Sequence, residues 1–579
     1  MGVMARKTWM SVMASTFAAS LVLAGCSNNS NNGNASPSEA ANQAGNSPSA
    51  SASASASPSA GGEEKLDPVT ISFFNGYGGV VPTDDNKIYK VFKDELGVTL
   101  KEEYLVGDLE QKLGVMIAGG DYPDMITANA KLTAAGAMIP LEDLIEKNAP
   151  NLKKHYEKVW NMLKDPDDGH IYWLPNFGVY QGDFKPTIYQ GPAFYIQKAI
   201  LKEFGYPKIT SLDEYFDLIE KYKAKYPEID GQPTIGYTTL AFDWRVFGLR
   251  NAPEHLAGYP NDGQVVVDPN TNVASLFEGN DISKPYYKKL NDENAKGIVD
   301  KEAFAQNYDQ YLAKIASGRV LGMFDQHWNF QQGEDTLKSQ EKFDRMYVGL
   351  PLVYDPSIKD YYLDRPTVNL VNGVGITTKA ADPVRILKFL DAMVTEKYSK
   401  IINWGIEGQD YQVGDNGLYY RTPEQRKQQD DVAWKKANKA EALLNAIPKL
   451  EGNYPDGNAD TPGNQPDEFF ATLKPIDQEL LAAYGHKLWS DFFSPPPENR
   501  ISYPAWNIDL VDGSPAKIAD QKMKDLALKY LPKAILTKPE NFDSVWNEYS
   551  NAMGKVDTKA YLDRVNSQLK WRQDNWSSK

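Results

Sequence analysis

Cysteine is almost missing from this chain: Cys26 is the only one among 579 residues. A single thiol rules out an intramolecular disulfide and a cysteine-based zinc site. Histidine is nearly as scarce, and five scattered residues argue against a multi-histidine metal centre. Positive charge is in deficit, with 62 Lys and Arg against 77 Asp and Glu and a net charge of −15. Phosphate backbones need a cationic footprint, so nucleic acid is not an expected partner. The familiar catalytic signatures are absent too. There is no Gly-x-Ser-x-Gly elbow, no phosphate-cradling Gly-Lys-Ser/Thr loop and no His-Glu-x-x-His.

What is present is a folded, aromatic-rich protein. Hydrophobic residues make up 41% and charged residues 24%, the balance of a globular chain. A length of 579 residues corresponds to about three to four domain equivalents, enough for a large buried core. Aromatic residues are plentiful, with 33 Tyr, 22 Phe and 12 Trp.

The first 65 residues read as an address and a leash. Arg6 and Lys7 precede an apolar stretch from Trp9 to Leu23, too short and too interrupted to span a membrane. It ends Leu23-Ala24-Gly25-Cys26, which looks like a bacterial lipobox with cleavage before Cys26 and lipid on its sulfur. Acyl chains then hold the protein on the outer face of the cell membrane without a spanning helix. Loss of residues 1–25 removes two cations and no acid, so the remaining chain is more acidic still. Residues 26–65 hold the lipidated cysteine and a Ser-, Ala-, Asn- and Pro-rich tether, which buries too little apolar area to offset its ordering entropy. A flexible coil of about 36 residues spans roughly 30–36 Å.

From residue 69 the pattern alternates strand and helix. Val69–Phe74 is a β-rich run closed by Asn75-Gly76, Lys87–Leu96 is helical and stopped by Gly97, and Val98–Val106 is a second strand. Leu109–Ala118 is helical again, and Pro123–Ile126 is a short buried strand. Such β-α-β order with short connections predicts a mostly parallel sheet with helices on its faces. Ser211 and Glu214 form a capping box ahead of a helix with Leu212, Tyr215, Phe216, Ile219 and Tyr222 on one face. Gly373–Ile376 reads as a strand, Asp382-Pro383 caps a helix, and residues 421–579 are mostly helical with a loop at 452–467.

Several segments recur in a telling order. They are Gly120-Asp121-Tyr122-Pro123-Asp124, Ile139-Pro140-Leu141-Glu142-Asp143-Leu144 and Asp168-Gly169-His170-Ile171-Tyr172-Trp173-Leu174-Pro175. Leu212-Asp213-Glu214-Tyr215, Ser317-Gly318-Arg319-Val320 and Gly405-Ile406-Glu407-Gly408 follow. Behind a lipobox, this series resembles the extracellular solute-binding proteins of family 1, the sugar-binding components of ABC importers, in the long lipoprotein form of Paenibacillus-type bacteria. The resemblance covers roughly residues 66–579. It implies an α/β, two-lobed periplasmic-binding-protein-like fold with a cleft between the lobes and a long helical C-terminal region. Lobe 1 is expected from residues 66–185 with 376–420, and lobe 2 from 186–375 with 421–579. The implied function is capture of an oligosaccharide by a monomeric, non-enzymatic lipoprotein that closes on it and delivers it to ABC permease subunits. No cofactor or metal is expected.

A sugar ring has apolar faces and a rim of hydroxyls, so it calls for aromatic platforms flanked by hydrogen-bonding side chains. Trp328, with Asp325 and Gln326, is the first choice, because it is similar to the family segment in which a Trp after a strand stacks on sugar. Its alternative is a core Trp under a loop. Trp244 lies between Asp243 and Arg245, an acid and a base able to grip hydroxyls. In lobe 1 the candidates are Asn75 and Tyr77 after the first strand, and Asn129 and Lys131 at a helix start. Tyr195 near a lobe crossing, Trp404 with Glu407, and Trp506 complete the set, each with ordinary packing as its alternative.

Some long relatives carry a calcium loop after the Leu-Asp-Glu-Tyr helix, but Lys225–Gln232 lacks the alternating acids. Asp456, Asn458 and Asp460 do alternate, yet Thr461 stands where a calcium loop wants Gly, and a polar loop is the better reading. Two other functions remain open at this level: a surface glycoside hydrolase, which would also show platforms and acids, and a structural or adhesive lipoprotein.

Overall fold

A computed structural model describes residues 67–576 apart from 79, 167, 183, 366 and 499–503. The leader, Cys26 and the tether therefore lie outside the described residues. Along the chain the elements that matter here are β1 (Val69–Asn75), α1 (Lys87–Leu96), β2 (Val98–Tyr104), α2 (Leu109–Gly119), β3 (Met125–Thr127), β4 (Leu174–Pro175), β5 (Pro192–Gln197) and α3 (Leu212–Lys225). They continue with β6 (Ile235–Thr238), α4 (Tyr308–Ala316), β7 (Val320–Gln326), α5 (His327–Ser339), β8 (Tyr347–Leu350), β9 (Gly373–Ile376) and α6 (Pro383–Met393). The C-terminal region is built on α7 (Pro515–Leu536), α8 (Phe542–Met553) and α9 (Thr558–Trp576).

Local chemistry explains where these elements begin and end. At α1 the Asn86 side chain accepts from the backbone N–H of Ile88 and Tyr89, and Gly97 closes the helix at φ +65°, a left-handed conformation that costs glycine nothing. Ile88 and Phe92, four apart, bury one face. At α3 the Ser211 hydroxyl accepts from the Glu214 N–H at 3.3 Å while the Glu214 carboxylate accepts from the Ser211 N–H at 3.0 Å, the reciprocal cap expected from the spacing. Asp382 caps α6 by accepting from Arg385 N–H at 3.0 Å.

Two sheets and two cores result. The first sheet has the order β2-β1-β3-β9-β4, with β1 parallel to β2 and β3 and with β9 antiparallel to β3 and β4. Its core draws on Ile71, Phe73, Phe92, Leu174, Val374, Leu387 and Leu390. The second sheet has the order β8-β5-β7-β6, in which β7 is parallel to β6 and β5 runs against both β7 and β8. Phe194, Tyr215, Phe216, Tyr237, Phe324 and Leu350 fill the second core, which also takes Met523, Leu531, Trp546 and Leu569 from α7, α8 and α9.

The fold is thus α/β with two sheet-centred cores and a helical C-terminal region, as expected, but within these two sheets parallel pairing holds only for β2-β1-β3 and for β6-β7, and the other pairs are antiparallel. The β-α-β rule concerns successive strands of one sheet. β5 and β9 each arrive from the other sheet, so no crossover helix sets their direction. Residues 373–375 pair in the first sheet, and Ala440, Leu443, Ala446 and Ile447 pack in the first core, although the sequence reading places both segments with lobe 2.

Candidate functional site

β6 and β7 are parallel neighbours, with Met323 beside Thr238, so the chain leaves both strands on one edge of the second sheet. That edge carries the two tryptophans ranked highest from sequence. Beyond β6 the chain turns at Asp243, a non-glycine residue held at φ +48°, and enters a short 3-10 turn, Asp243–Val246. Beyond β7 it passes directly into α5. Trp244 and Trp328 meet there with ring centroids 5.9 Å apart and planes 10° from parallel. Trp244 is 59% exposed and Trp328 42%, so both present surface to solvent, whereas Trp404 presents none. Phe247 braces the pair at 6.0 and 5.6 Å.

Polar groups fix the rings. Trp328 Nε1 donates to Gln326 Oε1 at 2.7 Å. Arg245 Nη1 donates to Asp243 Oδ2 at 2.5 Å, and its guanidinium lies 4.6 Å from the Trp244 ring and 4.0 Å from the Tyr308 ring. Arg245 is therefore already paired and sandwiched, and is not a free anion receptor. Asp325 is fully buried beneath this surface and accepts from Tyr311 OH, from Asn329 Nδ2 and from the Gln326 N–H at 2.7 Å. Burial pushes its carboxyl up to about 6, against those hydrogen bonds and the nearby Arg245 charge. So Asp325 and Gln326 support the surface instead of lining it.

The remaining candidates do not join this pair. Tyr195 is a core residue of β5, its OH donating to Gly191 O at 2.7 Å and its ring edge-on to Phe330, because every side chain of that central strand is enclosed. Trp404 is completely buried against Tyr411 and Tyr419 and donates Nε1 to Ala459 O at 3.0 Å. Glu407 is exposed on the turn after it. Trp506 is half-buried with Nε1 donating to Asn261 O at 2.7 Å, and Arg572 holds its carbonyl. Tyr195 and Trp404 serve packing, and the indole N–H of Trp404 and of Trp506 each goes to a backbone carbonyl.

On the first sheet, β1, β3 and β4 run in one direction and β9 against them, so residues 76–78, 128–131, 176–180 and 367–372 share one edge. Asn75 is buried there, donating Nδ2 to Ala442 O at 3.0 Å and accepting from Tyr77 N–H at 3.1 Å, which makes it a turn-former and not a surface group. Tyr77 is partly exposed, and its OH accepts from the Gly373 N–H at 2.8 Å. Burial of that phenol pushes it up to about 12. Asn129 caps a short helix by accepting from Lys131 N–H at 3.0 Å, and the exposed Lys131 pairs with Glu110. The same edge carries two rings that the sequence reading passed over: exposed Phe177, and Tyr180 stacked on Phe184 at 4.6 Å and 14°. Their signal was their place just beyond the Leu174-Pro175 strand.

One acid of each loop weighed for calcium pairs with a lysine. Glu228 to Pro233 is a two-residue hairpin turning on Asp230 and Gly231, both at positive φ, and Asp230 pairs with Lys342 at 2.7 Å. Asp456 accepts from Lys400 Nζ at 3.1 Å and from Tyr419 OH at 2.7 Å, so a lysine supplies the cation that loop holds. Among the described residues no cluster of three or more His, Cys, Asp or Glu could hold a metal ion. A cavity of about 340 Å³ between Val511–Ala516 and Ala560–Arg564 is lined by none of the candidate residues.

Comparison with known proteins agrees with this architecture. A model of the bacterial extracellular solute-binding protein family matches residues 87–403. The fructooligosaccharide ABC transporter substrate-binding protein FusA of Streptococcus pneumoniae is 27% identical over 374 residues, 59% of this chain and 64% of its own. The chain thus aligns with just under two thirds of that curated relative's length. The structure of FusA in complex with kestose superposes over 88% of this chain and all of its own, with a TM-score of 0.62 and 21% identity. An ABC-transporter associated solute-binding protein of Bifidobacterium longum infantis, described as HMO binding, gives 0.60 at 16% identity over 87% and 99%. At these identities the structural likeness shows the fold. The family match spans more than half of the sequence, and the chain belongs to the bacterial extracellular solute-binding proteins, which bind and do not catalyse.

Proposed function

We propose that this protein is the substrate-binding component of an ABC importer and that it captures a neutral oligosaccharide. The observation that carries the reading is the exposed, near-parallel Trp244–Trp328 pair on the strand-end edge of the second sheet. In open α/β sheets ligands bind outside the carboxyl ends of the strands, and sugars stack on aromatic faces there. The offset rings form a two-step platform suited to adjacent sugar units. With about 60 Å² of sugar covered per ring, each contributes ~1.5 kcal/mol, so tight binding also needs polar contacts. The ring-bearing edge of the first sheet, with Tyr77, Phe177 and Tyr180, supplies the opposing wall. Arg245 already pairs with Asp243, which favours a neutral ligand over an anionic one. The fructooligosaccharide relative supports the ligand class.

In this reading the two lobes close on the sugar and the liganded form is handed to a membrane permease. Cys26 carries the lipid that keeps the monomer on the extracytoplasmic face of the cell membrane. A thermal-shift screen against neutral and uronate oligosaccharides, kestose included, tests the binding step. A neutral oligosaccharide should raise the melting temperature of the wild type and not of Trp328→Ala or Trp244→Ala, both of which should melt within a few degrees of it unliganded. Full affinity in both variants would refute the site.

A further inference from the structure

We propose that Asp325 is a positioning residue for the indole pair: its buried carboxylate ties the first turn of α5 to α4, and this tie holds Trp328 against Trp244. The inference deepens the oligosaccharide reading, but its test needs no sugar.

The chain passes from β7 into α5 at Gln326, where no side chain caps the helix. The Asp325 carboxylate does that work from one residue earlier. It accepts from the Gln326 N–H at 2.7 Å, from Asn329 Nδ2 at 3.0 and 3.1 Å one turn into the helix, and from Tyr311 OH on α4. Tyr308, one turn before Tyr311, donates its OH to Asn329 O at 2.6 Å and places its ring against the Arg245 guanidinium. Arg245 in turn lies over Trp244. Two paths therefore leave one buried charge. Gln326 leads to the Trp328 N–H, and Asn329, Tyr308 and Arg245 lead to the Trp244 ring.

The charged and titratable groups around Asp325 are few. Tyr311 and Tyr308 face it from α4, Tyr195 from β5 and Arg245 from the 3-10 turn, while His327 and Glu334 pair at 2.6 Å on α5 itself. Burial pushes all three tyrosines up, so they stay neutral donors. Burial alone would raise Glu334 too, but its bond to His327 holds it low. Arg245 is the cation that favours the ionised Asp325. Protonation turns one carboxylate acceptor into a donor, so one of its partners loses its acceptor and the start of α5 loosens.

The test is the near-UV circular dichroism and tryptophan emission of the unliganded full chain between pH 7.5 and 5.0. A transition with a midpoint near pH 6 is expected. It should vanish in Trp328→Phe and in Asp325→Asn, and persist in His327→Gln, which removes the imidazole on the same turn. Tyr311→Phe should move the midpoint upward by about half a unit to one unit, because a hydrogen bond to the charged form is lost; this variant keeps the test decisive if Asp325→Asn misfolds. A flat profile, a transition that survives in Asp325→Asn, or one lost in His327→Gln would overturn the proposal. A spectral transition with no sugar-dependent shift would instead sink the oligosaccharide reading and leave this one standing.

Discussion

Trp328 and Trp404 show how one residue type takes two roles. Trp404 has no exposed surface and its N–H is bound to Ala459 O, whereas Trp328 is 42% exposed and its N–H is bound to the neighbouring Gln326. Trp404→Ala should therefore cost about 3–5 kcal/mol of stability by leaving a cavity, with sugar affinity retained in the fraction that folds. A denaturation series on the two alanine variants checks the contrast, since Trp328→Ala empties no cavity. Asp325 carries the opposite economy. Burial lifts its carboxyl above the usual carboxylate range, to about 6, so the native chain holds this proton more tightly than the unfolded chain does. The stabilisation from that proton is fully present below pH 4 and is lost as pH rises through 6, a difference of about 3 kcal/mol. The melting temperature of Asp325→Asn should accordingly vary less than that of the wild type between pH 7.5 and 5.0. A variant whose melting temperature changes over that range as much as the wild type's would contradict this.

At the scale of elements, strand direction does the sorting. β6 and β7 end side by side because they are parallel neighbours, and the turn after each begins with the residues that became the platform. The strand-end rule thus joined Asp243–Arg245 to Trp328, although some eighty positions separate them in the chain. Helix ends carry comparable weight. Asn86 caps α1 and its amide also donates to Lys436 O and Lys439 O at 2.8 Å, fastening the helical turn Val432–Asn438 to α1. Asn86→Ala removes the cap and both of those bonds at once. A loss of about 2–3 kcal/mol is expected, read as a lower melting temperature with the oligosaccharide response retained.

For the whole molecule, the chain passes between sheets after β4 and again after β8, so each core is closed by segments distant in sequence. One exposed pair, Lys338 on α5 with Asp430 at 3.7 Å, links the second core's helix to the segment fastened to α1. Exposed pairs of this kind contribute about 0–1 kcal/mol, so the proposed hinge closure would draw on ligand contacts from both walls. Small-angle scattering should then show a smaller radius of gyration on adding a saturating oligosaccharide to wild type, and no change with Trp328→Ala. An unchanged radius in the liganded wild type would exclude hinge closure.

Local rules read directly from the residues were enough for α1, α3 and α6, for β1 to β3, and for the prominence of Trp244 and Trp328. Caps, turn residues and hydrophobic spacing act within a few positions, and the chain itself states them. The fates of Tyr195, Trp404, Asn75 and Trp506 were not readable in that way. An aromatic or amide after a strand looks the same whether it faces solvent or a second layer. Which it faces depends on what packs over it from hundreds of residues away. The antiparallel entry of β5, the charge of Asp325 enclosed by α4 and α5, and the meeting of two indoles are therefore decisions of the tertiary structure alone.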